Sequence, residues 1–414
     1  VSSITFPTLG LAEPLLRALD KERFLQPTPI QAAAIPHLLA GRDLLGVAQT
    51  GTGKTAAFAL PMLQHLAASP AITPRFATRG LILAPTRELA LQIEDSLHRL
   101  GSELRRRVVA ILGGVSRAMQ VQRMRSGADI VVGTPGRICD LMATGELRLN
   151  GVTHFVLDEA DRMLDLGFIR DIRRIVAALP AQRQSSLFSA TMPAEVAKLA
   201  ETLLRDPVRV DVAVSAPARL PIEQHVHFVD TMGKRALLGR LLTDPAMSRV
   251  IVFTRTKRSA DRVAETLDTG GVRVSALHGN KSQPARLKAL EQFRSGRARV
   301  LVATDIAARG IDVTGISHVI NFDLPAQPED YVHRIGRTAR AGASGVAISF
   351  CDATEHGTLR AIERMTGTVI NIAGGSPPAR QPGGQVQPAR GKAPPTAANR
   401  RRRHRGHGGL RPAA

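Results

Sequence analysis

Ten short apolar runs, rich in β-branched residues and separated by stretches of helical periodicity, set the fold open to this chain. The first half holds Asp43–Val47, Leu81–Ala84, Asp129–Val132, His154–Leu157 and Ser186–Phe188. The second holds Val250–Phe253, Val272–Val274, Val300–Ala303, His318–Ile320 and Val346–Ile348. Runs that are apolar on both faces suit strands inside a parallel sheet, with the helices as crossovers. Each half therefore reads as one α/β domain, which fits 414 residues at roughly 150 per domain. Pro207, Pro217 and Pro221 bracket a stretch with little helical periodicity. The expected division is a first domain over 1–207, a linker over 208–220, a second domain over 221–372 and a tail over 373–414.

The charge is uneven. Lys and Arg total 56 against 35 Asp and Glu, a formal net of +21. Such a balance calls for a polyanionic partner, either nucleic acid or an anionic surface. From Ala373 onward there are eight arginines and Lys392, no acid and no aromatic residue. A segment that polar cannot bury enough apolar area to offset chain entropy, so disorder is expected there. No apolar stretch approaches the ~18 residues of a membrane span. Val1–Pro7 lacks a basic segment followed by an apolar one, so the expected location is cytoplasmic. Cys139 and Cys351 are the only cysteines, which excludes a disulfide scaffold and a cysteine zinc site.

Two segments carry chemistry. Ala48-Gln49-Thr50-Gly51-Thr52-Gly53-Lys54-Thr55 follows a strand and opens a helix. Glycines there let backbone N–H groups close around phosphate oxygens, and the helix N-terminus adds a favourable dipole. Lys54 would reach the β- and γ-phosphates of a nucleotide and Thr55 would help hold Mg²⁺. The strict pattern has Gly at position 48, where this chain has Ala48. Asp158-Glu159-Ala160-Asp161 ends the run Phe155–Leu157, where ligands bind in open α/β sheets. Asp158 would hold Mg²⁺ through water, and Glu159 would orient or deprotonate an attacking water.

Together with further segments these residues resemble the DEAD-box RNA helicases of superfamily 2, and among them the bacterial RhlE-like group. The matching segments begin with Phe24 and Pro27-Thr28-Pro29-Ile30-Gln31, then the Lys54 loop and Pro85-Thr86-Arg87-Glu88-Leu89-Ala90. They continue with Gly113-Gly114, Thr134-Pro135-Gly136-Arg137, Asp158-Glu159-Ala160-Asp161 and Ser189-Ala190-Thr191. In the second half they are Val252-Phe253-Thr254, Leu277-His278-Gly279, Ala303-Thr304-Asp305 through Arg309-Gly310-Ile311-Asp312, and His333-Arg334-Ile335-Gly336-Arg337-Thr338-Ala339-Arg340.

The resemblance implies an α/β fold of two RecA-like domains, ATP and Mg²⁺ bound at their interface, and RNA across both. It implies that Gln31 reads adenine, Phe24 stacks on the base, and Thr50, Gly51, Thr52 and Gly53 cradle the phosphates with Lys54 and Thr55. Arg337 and Arg340 resemble arginines that reach the γ-phosphate, a role guanidinium forks suit. His333 and Asp312 resemble residues that couple the domains or touch the ribose. Ser189 and Thr191 resemble the segment that links hydrolysis to strand separation. The RNA contacts implied are Thr86, Arg87, Gly113, Gly114, Thr134, Arg137, Arg255, His278, Gly279 and Thr304. Small, hydroxylated and basic groups suit phosphates and 2′-OH groups rather than base edges, so sequence-independent binding follows. Partners of the ribosome-assembly or RNA-decay class are compatible, and no membrane is expected. The chain departs from the family at Arg23 and Ala339, where Gly is commoner. Ala339 implies an ordinary backbone angle there. The rival readings are a DNA-translocating helicase and an RNA annealer driven by the basic tail.

Overall fold

The computed structural model of the chain describes residues 4–49, 51–69, 73–212, 222–308, 313, 315–339 and 344–376. The first sheet contains β1 Leu44–Val47, β2 Thr78–Leu83, β3 Val108–Ile111, β4 Ala128–Gly133, β5 His154–Leu157, β6 Gln184–Ser189 and β7 Val208–Asp211. The second contains β8 Ile222–Phe228, β9 Val250–Phe253, β10 Val274–Leu277, β11 Val300–Ala303, β12 His318–Asn321, β13 Gly345–Cys351 and β14 Asn371–Gly374. Strand order is β3-β4-β2-β5-β6-β1-β7 in one and β10-β11-β9-β12-β13-β8-β14 in the other. Every strand pairing is parallel. The two halves repeat one another strand for strand, and both lie in one compact unit that ends at Ser376.

Alternation along the central strands feeds two cores. Ile82, Ile130, Val132, Val156 and Phe188 turn to one face of the first sheet, where they meet the helices Pro29–Leu39, Lys54–Ala68 and Arg87–Leu100. Leu81, Leu83, Val131, Phe155 and Leu187 turn to the other, against Ile138, Ile172 and Val196. Residues of both parities are buried, which is why the sequence reads as unbroken apolar runs. The second sheet is covered the same way, with Val250, Val252 and Ile320 on one face and Ile251, Leu301 and Val319 on the other.

Three boundaries differ from the sequence expectation. Val208–Asp211 is an edge strand on β1, not the start of a linker. Asn371–Gly374 pairs with β8, so the fold runs past the expected boundary at 373. The strand expected at Val272–Val274 begins at Val274 and runs to Leu277. Residues 213–221 of the linker and 377–414 of the tail lie outside the described residues. Among the described residues no helix is long and apolar enough to cross a membrane. Cys139 and Cys351 are free and buried.

Candidate nucleotide and nucleic-acid site

The helix Lys54–Ala68 begins on Gly53, whose φ of 92° is left-handed, and no side chain caps its first turn. Its leading N–H groups are therefore left for an anion. A Cβ at Gly53 would run into the Gln31 amide. Gln31 fastens this loop: its Oε1 accepts from the Thr28 N–H at 2.9 Å and its Nε2 donates to the Gly53 carbonyl at 3.1 Å. One N–H and one lone pair of the amide remain for a base edge. Thr52 Oγ1 donates to the Gln49 carbonyl at 2.7 Å, closing the turn. Thr50 lies outside the described residues.

The loop faces a cavity of about 320 Å³. From the first half it is lined by Phe24, Gln31, Gly51, Gly53, Lys54, Thr55, Asp158 and Glu159, and from the second half by Arg337. Lys54 is 5% exposed and Asp158 and Glu159 are 2% exposed. Lys54 Nζ, Asp158 Oδ1 and Glu159 Oε1 each lack a hydrogen-bond partner. Three buried polar atoms without partners around one cavity are costly unless a ligand satisfies them. Burial pushes the Asp158 carboxyl up to about 7, with Lys54 pulling it down and Glu159 pushing it further up. A cation beside Asp158 would reverse that balance.

Phe24 reaches the cavity through the turn at Arg23, where the family more often has Gly. Arg23 has a φ of 60°. Its N–H donates to the Asp20 carbonyl and the Phe24 N–H to the Leu19 carbonyl, both at 2.9 Å. This is a Schellman end on the helix Glu13–Lys21, built with Arg where Gly is favoured, at a cost of about 1 kcal/mol. Phe6 packs edge-on against Phe24 at 6.3 Å and is buried.

Glu159 also sits in the left-handed region, at φ 55°. Arg162, one turn on, places Nη1 3.2 Å from Glu159 Oε2 with both side chains buried. Asp161 turns the other way: its Oδ2 accepts from the Ala190 N–H, the Thr191 N–H and Thr191 Oγ1 at 3.2, 3.0 and 2.9 Å. Ser189 Oγ accepts from the Asp161 N–H at 3.2 Å. Thr191 in turn lines a cavity of about 260 Å³ with His333 and Arg337 of the second half. The expected coupling residues Ser189, Thr191 and His333 are thus brought around the acidic segment and the arginine. Arg337 is 3% exposed, and its Nε donates to the His333 carbonyl at 3.3 Å.

The expected RNA contacts follow other strands. Thr86 caps the helix after β2, accepting from the Leu89 N–H at 3.2 Å. Gly113 and Gly114 follow β3, and Thr134 and Arg137 follow β4. Gly114 has a φ of 69°, and a Cβ there would collide with the Arg87 guanidinium. Arg137 Nη1 donates to the Val115 carbonyl at 3.2 Å. In the second half Arg255 follows β9, His278 and Gly279 follow β10, and Thr304 follows β11. The three strands β3-β4-β2, and their counterparts β10-β11-β9, lie together at one side of each sheet. His278 is less available than expected, being 1% exposed with Nε2 2.8 Å from Asp261 Oδ1.

The chain matches the DEAD/DEAH box helicase family over residues 28–199 and the helicase conserved C-terminal domain over residues 233–342. It is 45% identical over 362 residues to the DEAD-box ATP-dependent RNA helicase CshA of Geobacillus kaustophilus, covering 87% of this chain and 76% of that one. The chain is a DEAD-box helicase. Among solved structures, this helicase is similar to S. cerevisiae Dbp5 bound to RNA and ADP BeF3, with a TM-score of 0.79 and 34% identity over 89% of this chain and 95% of that one. It is also similar to Mss116p bound to ssRNA and AMP-PNP, with a TM-score of 0.82 and 26% identity over 91% and 80% of the two chains.

One expectation for this helicase is corrected. Ala339 has a φ of 54°, not an ordinary backbone angle. It packs against the core of Tyr331 and Ile335, and Thr338 Oγ1 next to it donates to the Ile316 carbonyl at 2.5 Å. These contacts outweigh about 1 kcal/mol of left-handed strain. Arg340 and Asp312 lie outside the described residues. Sequence reasoning missed Gln283 and Arg286, which meet Glu88 from the other half. Arg286 Nη2 is 2.7 Å from Glu88 Oε2, and Gln283 Nε2 donates to Glu88 Oε1 at 3.2 Å. The available signal was an amide and an arginine three apart on one face of the helix Gln283–Arg294.

Proposed function

We propose that this chain is an ATP-dependent RNA helicase that couples RNA-stimulated ATP hydrolysis to separation of short RNA duplexes or remodelling of RNA–protein complexes. The carrying observation is the cavity in which Lys54, Asp158 and Glu159 of the first half meet Arg337 of the second. The partnerless buried atoms there suit a triphosphate with Mg²⁺. Mg²⁺ favours one or two carboxylates plus substrate phosphates over an all-protein cage. That agrees with the lack of a cluster of three His, Cys, Asp or Glu ligands among the described residues. Thr55 and Asp158 would hold it, and it would neutralise charge developing on the phosphates.

In this reading Gln31 and Phe24 receive adenine, and Thr50, Gly51, Thr52 and Gly53 wrap the phosphates. Lys54 offsets charge on the β- and γ-phosphates. Glu159, with Oε2 held by Arg162, turns Oε1 to the attacking water and orients or deprotonates it. Arg337 and Arg340 stabilise the transferring phosphoryl group from the second half. Asp312 touches the ribose or couples the domains. Thr86, Arg87, Gly113, Gly114, Thr134, Arg137, Arg255, His278, Gly279 and Thr304 hold the RNA backbone. Thr191 on Asp161 passes the state of the acidic segment to His333 across the second cavity. Dbp5 and Mss116p were solved with RNA and a nucleotide analogue, which supports the pairing of these two ligands. The basic tail adds phosphate contacts without sequence preference, and the protein acts in the cytoplasm.

The test compares RNA and DNA as activators of ATP turnover, with strand separation of a short labelled duplex as a second readout. RNA should raise turnover at least tenfold and DNA should not. Equal activation by both, or no duplex separation with ATP, contradicts the reading.

A further inference from the structure

The repeat between the halves extends to the loop after the first strand of each sheet. Gly53-Lys54 opens the helix that follows β1, and Gly233-Lys234 opens the helix Lys234–Leu241 that follows β8. The two lysines have opposite surroundings. Lys54 Nζ has no hydrogen-bond partner and faces the nucleotide cavity. Lys234 Nζ lies 2.7 Å from Glu355 Oε2, 3.3 Å from Asp352 Oδ2 and 3.6 Å from Asp323 Oδ1, with its side chain 1% exposed. Burial works against this ammonium, and Glu355, Asp323 and Asp352 together outweigh it, so the Lys234 pKa is raised above its ordinary value. A carboxylate meets Lys234, where in the first half Lys54 has no partner.

Glu355 is itself buried and shared. Its Oε1 accepts from Arg255 Nη2 at 2.6 Å and from the Leu324 N–H at 3.0 Å. Arg255 Nη2 also donates to the Leu324 carbonyl at 3.3 Å, and the Arg255 N–H donates to Asp323 Oδ2 at 2.9 Å. The Arg255 side chain is 51% exposed, so the guanidinium is gripped at one nitrogen and open to solvent beyond it. An unheld arginine has ~2 kcal/mol of rotamer entropy to lose on meeting a phosphate. Glu355 lies between two cations, with Arg255 on Oε1 and the more deeply buried Lys234 on Oε2, so Lys234 fixes the carboxylate that Arg255 meets.

We propose that the lysine at the phosphate-loop position of the second half anchors an RNA-contact residue instead of a nucleotide: Lys234 holds Glu355, and Glu355 holds Arg255 toward RNA. Glu355 and Lys234 are positioning residues. The inference rests on the reading of Arg255 as an RNA contact.

The experiment measures binding of a fluorescent oligouridylate to the full chain at five salt concentrations. The proteins compared are wild type, Arg255→Ala, Glu355→Gln and the double variant. Arg255→Ala should weaken binding several-fold and flatten the slope of log K against log salt by about 0.7, the share of one phosphate on a single strand. Glu355→Gln should reproduce most of both effects, and the double variant should be no worse than Arg255→Ala. A merely structural role for Glu355 would not change the salt slope. Lys234→Met with Glu355→Gln removes the two most deeply buried charges of the cluster together, and should show the same slope. If Arg255→Ala weakens binding while Glu355→Gln keeps wild-type affinity and slope, or if the two effects add, the inference is overturned. If Arg255→Ala binds like wild type, the contact reading falls and the inference with it.

Discussion

Glu88 and Arg286 form an ion pair at 2.7 Å that joins the two halves of the chain, with the Glu88 side chain 1% exposed. Both lie beside the expected RNA path. Arg87 precedes Glu88, and burial, with Arg286 next, lowers the Arg87 guanidinium from its ordinary value. The pair therefore joins the two halves next to Arg87, a proposed RNA contact.

Breaking the pair should weaken the joining of the two halves. Removing one partner of a buried ion pair leaves the other uncompensated, at a cost of about 3–5 kcal/mol. Arg286→Met should raise the RNA concentration for half-maximal ATP turnover tenfold or more. Adding Glu88→Gln should recover part of the loss, because no lone charge then remains. Titrating RNA in a turnover assay checks this, and an unchanged midpoint in Arg286→Met refutes it.

Hydrolysis should depend on Glu159 more than ATP binding does. Glu159→Gln keeps the size of the side chain and a contact to Arg162, and removes the base. Turnover should fall by at least a hundredfold, the usual contribution of a placed acid or base. Binding of a labelled ATP should change less than about threefold. Wild-type turnover by this variant would show that the base is assigned to the wrong residue.

Nucleotide choice should rest on Gln31 for two reasons. Its amide fastens the loop through Gly53 and retains one N–H and one lone pair for the base. The wild type should turn over ATP in preference to GTP and CTP, since a site that hydrogen-bonds a base edge leaves groups unpaired with the wrong base. Gln31→Ala should raise the KM for ATP about tenfold and narrow the ratio of ATP to GTP. Steady-state kinetics with the three nucleotides decides, and equal use of ATP and GTP by the wild type contradicts the role.

Much of this was legible in the residues; β3 was missed although all four of its residues are buried, and the other misses have physical causes. β1, β4, β5, β9, β11 and β12 announced themselves because both faces are buried. β7 has only Val210 buried and β14 has no buried residue, so neither carries a core signal. β8 lies inside the sheet, but its buried residues, Ile222 and Val226, are four apart rather than contiguous. Among the residues proposed for the nucleotide, Lys54, Thr55, Asp158 and Glu159 were visible because they sit just after the strands β1 and β5. Gln283 and Arg286 were not, because their role is made by a tertiary contact with Glu88. Ala339 misled because local preference favours φ below zero and packing overrides it.

Stability should fall in mild acid through His154. His65 Nε2 is 3.0 Å from the Leu39 carbonyl, which can only accept, so His65 Nδ1 accepts from His154 Nε2 at 3.0 Å. Burial, with His65 and Arg79 nearby, pushes the His154 value down to about 4. Above the ordinary value near 6.5 the residue is neutral whether folded or not, and it adds no pH dependence. Between about 6.5 and 4 the unfolded chain takes a proton that the folded chain refuses, so stability falls as pH falls. The loss should reach about 2–3 kcal/mol by pH 4. Denaturant melts of wild type and His154→Gln across pH 4–7 check it, and equal pH dependence in both would refute it.

The central claim is that one ATP site is completed by a residue from each half. Turnover by full-length wild type and Arg337→Ala, with and without saturating RNA, measures it most directly. The account predicts strong RNA stimulation in the wild type. In Arg337→Ala that stimulation should be lost by tenfold or more, with RNA affinity retained. Full RNA-stimulated turnover in Arg337→Ala would contradict it.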